Sequence, residues 1–168
     1  IIPNGKYNDA VALMDEGNII EAYEAFVALG NHKDSTEKAL SIYDDYKIEK
    51  LKTSEVGSVV KFGYCEQDSD FSNGKEEIEW IVLEKQDNRV FIISKYGLNF
   101  EPYNAEYTDV TWETCTLRYW LNNDFFNSSF TNTEKAFIST VTVSADANPE
   151  YTTDPGDDTQ DKVFLLSI

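Results

Sequence analysis

Residues 111–138 read TWETCTLRYWLNNDFFNSSFTNTEKAFI, and the rest of the chain is parsed outward from them. Leu117, Trp120, Leu121 and Phe125 fall at i, i+3, i+4 and i+8, one apolar stripe of a helix. Thr131-Asn132-Thr133-Glu134 has capping-box spacing. The Thr hydroxyl can accept from the N–H of Glu134, and the Glu carboxylate can accept from the N–H of Thr131. The stretch predicts two short helices in series. Both signals concern packing, and neither is a catalytic signature.

Upstream of this stretch the period is that of strands. Residues 77–83 put Ile78, Trp80 and Val82 on one face. Residues 85–88 are a turn, and 89–94 return as a strand with Val90, Phe91, Ile92 and Ile93. Residues 58–64 read as an earlier strand, and 67–75, QDSDFSNGK, as a polar loop with an Asn-Gly turn signal. Residues 96–109 are irregular and carry Tyr96, Tyr103 and Tyr107. Downstream, a short strand is expected around 140–143. Residues 144–161 hold Asp146, Glu150, Asp154, Asp157, Asp158 and Asp161 with Pro149, Pro155 and Gly156, and no Lys or Arg, so they read as a loop. The final VFLLSI, 163–168, reads as a strand buried on both faces. An end on such a strand predicts a fragment of a larger domain. Its unpaired edge predicts association with another chain.

Residues 6–52 are expected to be helical. Ala10, Leu13 and Met14 form a first stripe that Gly17 ends as a left-handed cap. Asn18 is read as the cap of a second helix with Ala22, Ala25, Phe26 and Leu29, ending before Gly30. The very short link predicts antiparallel packing. Asp34 or Ser35 is read as the cap of a third helix running to about Leu51, with Ala39, Leu40, Ile42, Tyr43 and Tyr46. Residues 53–57 are a plausible boundary, giving a helical segment 1–52 and a second domain 53–168.

The chain has 168 residues, 41% apolar and 14% aromatic, enough for a real core. Its formal net charge is −17, from 31 acidic and 14 basic side chains. Nucleic acid is excluded as a partner, because phosphate binding needs clustered Lys and Arg. An anionic membrane surface is disfavoured for the same reason. No 18-residue apolar run exists, so no transmembrane segment is expected. The N-terminus lacks the regions of a signal peptide, so any export signal or anchor is expected upstream. Cys65 and Cys115 show no metal or redox spacing and are read as two free thiols.

Ala10, Leu13, Gly17-Asn18-Ile19, Ala22, Phe26 and Leu29 follow the spacing of one tetratricopeptide repeat, with small residues at 10 and 22 where helices approach closely. The chain resembles that family over a single 34-residue unit. Asp34 replaces its usual proline. One repeat does not bury its own faces, so the resemblance implies an upstream array or a hairpin docked on the next domain. A second resemblance covers 56–168. IEWIVLEKQDNRVFIISKYGL, PYN, TWETCTLRYWLNNDFFNSSF and DKVFLLSI occur in the order and spacing of an uncharacterised family of bacterial extracytoplasmic domains. That family resembles the C-type-lectin-like fold shared with formylglycine-generating enzymes. Its members continue past the VFLLSI strand with Trp-Leu-Arg-Ser and Arg-Pro-Ala-Leu-Trp-Ile motifs, which this chain lacks. The resemblance therefore implies an extracytoplasmic location, secreted or surface-anchored, and a domain whose later half lies outside the chain.

The fold class expected is α+β: a tetratricopeptide-like hairpin with an extra helix, then a mixed domain with a twisted antiparallel sheet and two short helices. No Gly-rich nucleotide motif, catalytic triad or facing carboxylate pair is legible. His32, the lone histidine, is read as an ordinary loop residue. Cys115 begins a helix, where a thiol pKa can fall, but the copper-binding pattern of the formylglycine-generating enzymes is missing. No cofactor is expected beyond calcium, for which Asp154, Asp157, Asp158 and Asp161 offer oxygens without EF-hand spacing. Trp112, Tyr103, Tyr107 and Tyr151 offer flat faces for sugar stacking, and Arg118 a polar contact. The expected function is a non-enzymatic extracellular binding or adhesion module for a glycan or a protein. The alternatives are an oxidase using Cys115 and a tetratricopeptide-type interaction scaffold.

Overall fold

The structure is a computed structural model that describes residues 2–150 and 153–166. Tyr151, Ser167 and Ile168, to which roles were assigned above, lie outside them. The protein is α+β and divides into two compact units. One comprises residues 1–62 and 78–95, the other 63–77 and 96–168. The division falls within the first two strands of the sheet.

In the first unit, α1 (Ile2–Asp15) and α2 (Ile19–Leu29) fold back on each other across Gly17, whose φ of +80° a side chain would resist. Ala10, Ala22 and Phe26 are fully buried at their junction. Two alanines let the backbones approach, and the Phe26 ring fills what remains. The expected third helix is two helices. α3 (Ser35–Ser41) stops at Ile42, whose φ −107° and ψ 8° are not helical, and α4 (Tyr43–Thr53) restarts from there. Ile42 joins the hairpin core at 7% exposure, so the break is what turns it inward. Neither Asn18 nor Asp34 caps a helix with its side chain. The Asn18 amide donates to Glu16 at 3.2 Å. Asp34 instead accepts from the Tyr7 hydroxyl at 2.5 Å. His32 pairs with the Asn4 amide oxygen at 3.1 Å, an ordinary loop role.

Strands β1 (Val59–Cys65), β2 (Glu76–Gln86) and β3 (Arg89–Ser94) form a sheet in the order β1-β2-β3. β2 and β3 pair antiparallel as a hairpin around Asp87-Asn88, with Asp87 at φ +49°. Ile78, Trp80 and Val82 point inward at 0%, 8% and 1% exposure, as the alternation requires. A bulge between Val82 and Glu84 then shifts the register, and the rest of β2 is exposed.

In the second unit, α5 (Thr116–Trp120) runs through a π-helical turn, Leu121–Phe125, into α6 (Phe126–Ser129). Leu121 and Phe125 are buried as the stripe predicts, and Phe126 is buried with them. After the bend at Phe130 comes α7 (Asn132–Phe137), opened by the capping box at Thr131. β4 (Val141–Val143) pairs antiparallel with β5 (Thr159–Asp161). The final strand is thus three residues long and lies inside the stretch read as loop. Residues 163–166 form no strand, and Leu165 and Leu166 are 49% and 57% exposed. Asn122 holds the start of this run: its amide oxygen accepts from the N–H of Lys162 (2.8 Å) and Val163 (3.3 Å), and its NH2 donates to the Val163 carbonyl (2.9 Å). One side chain satisfies the backbone groups that would otherwise need a strand partner. Both cysteines are free and buried. Among the described residues no helix is long and apolar enough to cross a membrane.

Candidate functional site

The N-terminus of α5 is where the sequence-selected residues of the second unit meet. The first N–H groups of any helix lack intrahelical acceptors. Here the irregular stretch before α5 supplies three. The Asn104 side chain accepts from Thr116 N (3.2 Å), the Tyr103 carbonyl from Leu117 N (3.2 Å), and the Cys115 sulfur from Arg118 N (3.4 Å). The Thr116 hydroxyl returns a bond by accepting from Ala105 N at 2.9 Å. Asn104 also donates to the Glu106 carbonyl at 2.9 Å. An irregular loop is thereby pinned at 103–106 to a helix end.

That loop shows its aromatic side chains to solvent. Phe100 and Tyr107 are fully exposed, and Tyr96 and Tyr103 about half. Burial on one side, with the neighbouring Cys115 thiol, holds the Tyr103 phenol above its ordinary value. Cys115 itself is 2% exposed, and its sulfur lies 3.4 Å from both the Trp112 carbonyl and Arg118 N.

Behind the helix end lies a buried carboxylate. Asp161, at the end of β5, is 1% exposed and accepts from three side chains: Arg118 Nε at 2.7 Å, Trp112 Nε1 at 2.9 Å and Thr159 Oγ1 at 2.6 Å. The Arg118 guanidinium also donates to the carbonyls of Glu113 (3.0 Å) and Gln160 (3.4 Å). Trp112 and Arg118 are therefore brought together, with the indole N–H and the guanidinium Nε committed to Asp161. The other aspartates of the calcium reading have different partners. Asp154 accepts from Gly156 N at 3.0 Å and Asp158 from Ala145 N at 2.9 Å, while the Asp157 amide points toward Glu113 at 3.5 Å.

Among the described residues, one other group of acidic side chains converges. Oxygens of Glu66, Asp68 and Glu76 lie within 4.8 Å of one another in the β1–β2 loop. Desolvation, and then the Glu76 charge, push the Glu66 carboxyl above its ordinary value. The Asp70 N–H and the Asn73 amide hold Asp68 below its own. Sequence reading passed over this loop because its acids are fewer than those of 144–161 and an Asn-Gly turn explained it.

Two further residues act across long separations in sequence. Glu134, fully buried, accepts from Thr131 N (2.9 Å) within the capping box and also from Gly63 N (3.0 Å) of β1. The local half was legible; the Gly63 half spans 71 positions. Gly63 adopts φ +73°, and a Cβ there would sit 2.5 Å from the Phe130 ring. Asn122 was hidden because both asparagines of an Asn-Asn pair look like surface residues of a helix. No curated protein and no solved structure matches the chain. Residues 87–168, which hold the aromatic loop, α5 and the Asp161 network, match the family model described as Domain of unknown function (DUF6273).

Proposed function

We propose that this protein is a non-enzymatic extracytoplasmic binding module that takes a glycan on the loop of residues 96–109. The observation that carries this reading is the pinned loop with outward-facing aromatic rings. Exposed aromatic rings at an ordered site mark binding surfaces more than isolated exposed apolar residues do. Sugars stack their C–H faces on such rings while their hydroxyls pair with carboxylates and amides. Asn99, Glu101 and Glu106 stand in the same stretch, exposed, and supply those groups. Fixing the backbone before the ligand arrives lowers the ordering cost of binding. The likeness to extracytoplasmic, lectin-like domains points the same way. The environment of Cys115 favours binding over the oxidase alternative, since a buried thiol engaged as a helix cap is a poor nucleophile.

The test is a glycan array probed with the intact chain and with Tyr103→Ala and Tyr107→Ala. The reading expects binding to a defined group of glycans, weakened at least about tenfold in each variant, since a stacked ring contributes on the order of 1–2 kcal/mol. Binding unchanged in both variants, or capture of a protein in place of any glycan, overturns it.

A further inference from the structure

The chain holds two Asn-Gly pairs, Asn4-Gly5 and Asn73-Gly74, and each is followed by a lysine, Lys6 and Lys75. An asparagine before glycine is open to attack by the next backbone nitrogen on its own side-chain amide carbon, because glycine has no Cβ to hinder the approach. The two pairs share this local sequence but stand in opposite settings. Asn4 and Gly5 lie in α1, where the helical backbone keeps the Gly5 nitrogen away from that carbon. The Asn4 amide oxygen is also paired with the His32 ring at 3.1 Å. Asn73 closes a turn, its N–H donating to the Asp70 carbonyl at 3.1 Å, and Gly74 follows it outside any helix or strand at φ +92°. Both residues are exposed, and nothing lies within 4 Å of the place a Cβ on Gly74 would take. Among the described residues the Gly74 N–H has no hydrogen-bond partner, so the attacking nitrogen is not engaged elsewhere. The Asn73 amide donates to Asp68 Oδ2 at 2.9 Å. That bond engages the nitrogen that leaves, not the carbon that is attacked.

We propose that Asn73 is a site of spontaneous deamidation, and that the change turns its attraction to Asp68 into repulsion. The Gly74 nitrogen gives up its proton and forms a bond to Cγ of Asn73. The bond from Cγ to Nδ2 breaks, and ammonia leaves with the proton, closing a five-membered imide. Water then opens the ring. Cleavage between Cγ and the Gly74 nitrogen gives aspartate on an intact backbone. Cleavage between the main-chain carbonyl carbon and that nitrogen gives isoaspartate, with the chain running through the former side chain. The only co-reactant is water, and nothing is oxidised or reduced. Either product puts a carboxylate where the Asn73 amide was a donor, so the bond at 2.9 Å becomes a like-charge contact. The Asp70 N–H, and after it the Asn73 amide, hold the Asp68 carboxyl below its ordinary value, and the second of these supports is lost. The new charge joins Glu66, Asp68, Asp70 and Glu76 in a loop whose one basic residue, Lys75, donates to the Ser128 carbonyl at 2.7 Å. Solvent screens these exposed groups, so the loop is loosened while the unit stays folded.

The experiment ages the whole chain in mildly alkaline buffer, folded and in urea, and follows both Asn-Gly peptides by mass spectrometry. The expected result is a gain of one dalton in the peptide containing residue 73, divided between aspartate and isoaspartate. In the folded chain it should form at least about fivefold faster than the same change at Asn4, which must first leave its helical well. In urea the two rates should converge, since the local sequences match. Asn73→Gln should abolish the gain in its peptide. Equal rates at both sites in the folded chain overturn the proposal, as does a ratio that urea leaves unchanged or a gain that survives Asn73→Gln. The charge consequence is read separately by thermal unfolding of fresh protein. Asn73→Ser removes the amide donor without adding charge, and Asn73→Asp carries the product. Asn73→Asp should unfold at a lower midpoint than Asn73→Ser. Equal midpoints would overturn the repulsion at Asp68.

Discussion

Glu134 and Asp161 are two buried carboxylates of the same unit, and one accepts from backbone amides where the other accepts from side chains. Glu134 is 0% exposed and anchors to backbone amides, one three residues away and one on β1. Asp161 is 1% exposed and anchors to side chains, chiefly the Arg118 guanidinium. Amides of a fixed backbone cost little to organise, and they carry no net charge. A guanidinium partner brings a full charge that must itself be desolvated, and its removal strands an anion. The two should therefore respond very differently to loss of one partner.

The largest effect is expected at Arg118. Arg118→Ala leaves the Asp161 carboxylate buried with only the Trp112 and Thr159 donors, and should cost about 3 kcal/mol in urea unfolding. That is the low end for a broken buried pair, because the Arg118 side chain is 26% exposed and water can reach the gap. Arg118→Lys should recover part of this, since the ammonium replaces the charge but not the fork that spans Asp161 and two carbonyls. A cost under about 1 kcal/mol for Arg118→Ala would mean that the pair contributes no more than a surface ion pair. The contrast with Glu134 would then fail.

The second expectation sharpens the other half of the comparison. Thr131→Ala removes only the hydroxyl that accepts from Glu134 N at 3.2 Å, and should cost about 1 kcal/mol. Glu134→Ala removes the acceptor of both Thr131 N and Gly63 N, and should cost about 2–3 kcal/mol. If the two variants lose equal stability, the long bond to Gly63 contributes nothing and Glu134 is a capping residue alone.

The same pair explains what the sequence could and could not disclose. Elements built from neighbours in sequence were legible: the capping box at 131–134, the alternation of Ile78, Trp80 and Val82, the helix break at Gly17, and the close-packed Ala10, Ala22 and Phe26. Each follows from a fixed period or a short spacing. What sequence reading missed depends on partners brought together from a distance. Asn122 reaches Lys162 and Val163 across about 40 positions and takes up backbone groups at the start of the VFLLSI run. Asp161 was counted among loop acids because composition could not show Arg118 waiting for it 43 positions away. The candidate ligand surface divided in the same way. Tyr103 and Tyr107 were found because exposed aromatics in an irregular stretch are visible in the sequence. The bonds from Tyr103, Asn104 and Ala105 that tie that stretch to α5 were not. The acidic loops show the limit of counting charges. The stretch 144–161 is richer in acids but disperses them, whereas the shorter 66–76 converges its own.

An exposed carboxylate gives the smallest effect and bounds the comparison from below. Asp34 accepts from the Tyr7 hydroxyl at 2.5 Å and lies 3.7 Å from the Lys38 ammonium. The Tyr7 bond, more than the Lys38 charge, holds the Asp34 carboxyl below its ordinary value, and the same bond holds the Tyr7 phenol above its own. For a depressed carboxylate, the unfolded chain binds the proton first as pH falls. The contribution is therefore complete above the ordinary aspartate range and is lost as pH drops through the folded value. For a raised phenol, the contribution is complete below the ordinary tyrosine range and is lost as pH climbs through the folded value. The bond thus stabilises the protein across the neutral range and fades at both ends. Tyr7→Phe should lower the urea midpoint at pH 7 slightly and flatten both the acid and the alkaline limbs of its pH profile. A Tyr7→Phe profile parallel to that of the wild type at both ends would mean that solvent already satisfies Asp34. Only the buried carboxylates would then draw stability from their partners.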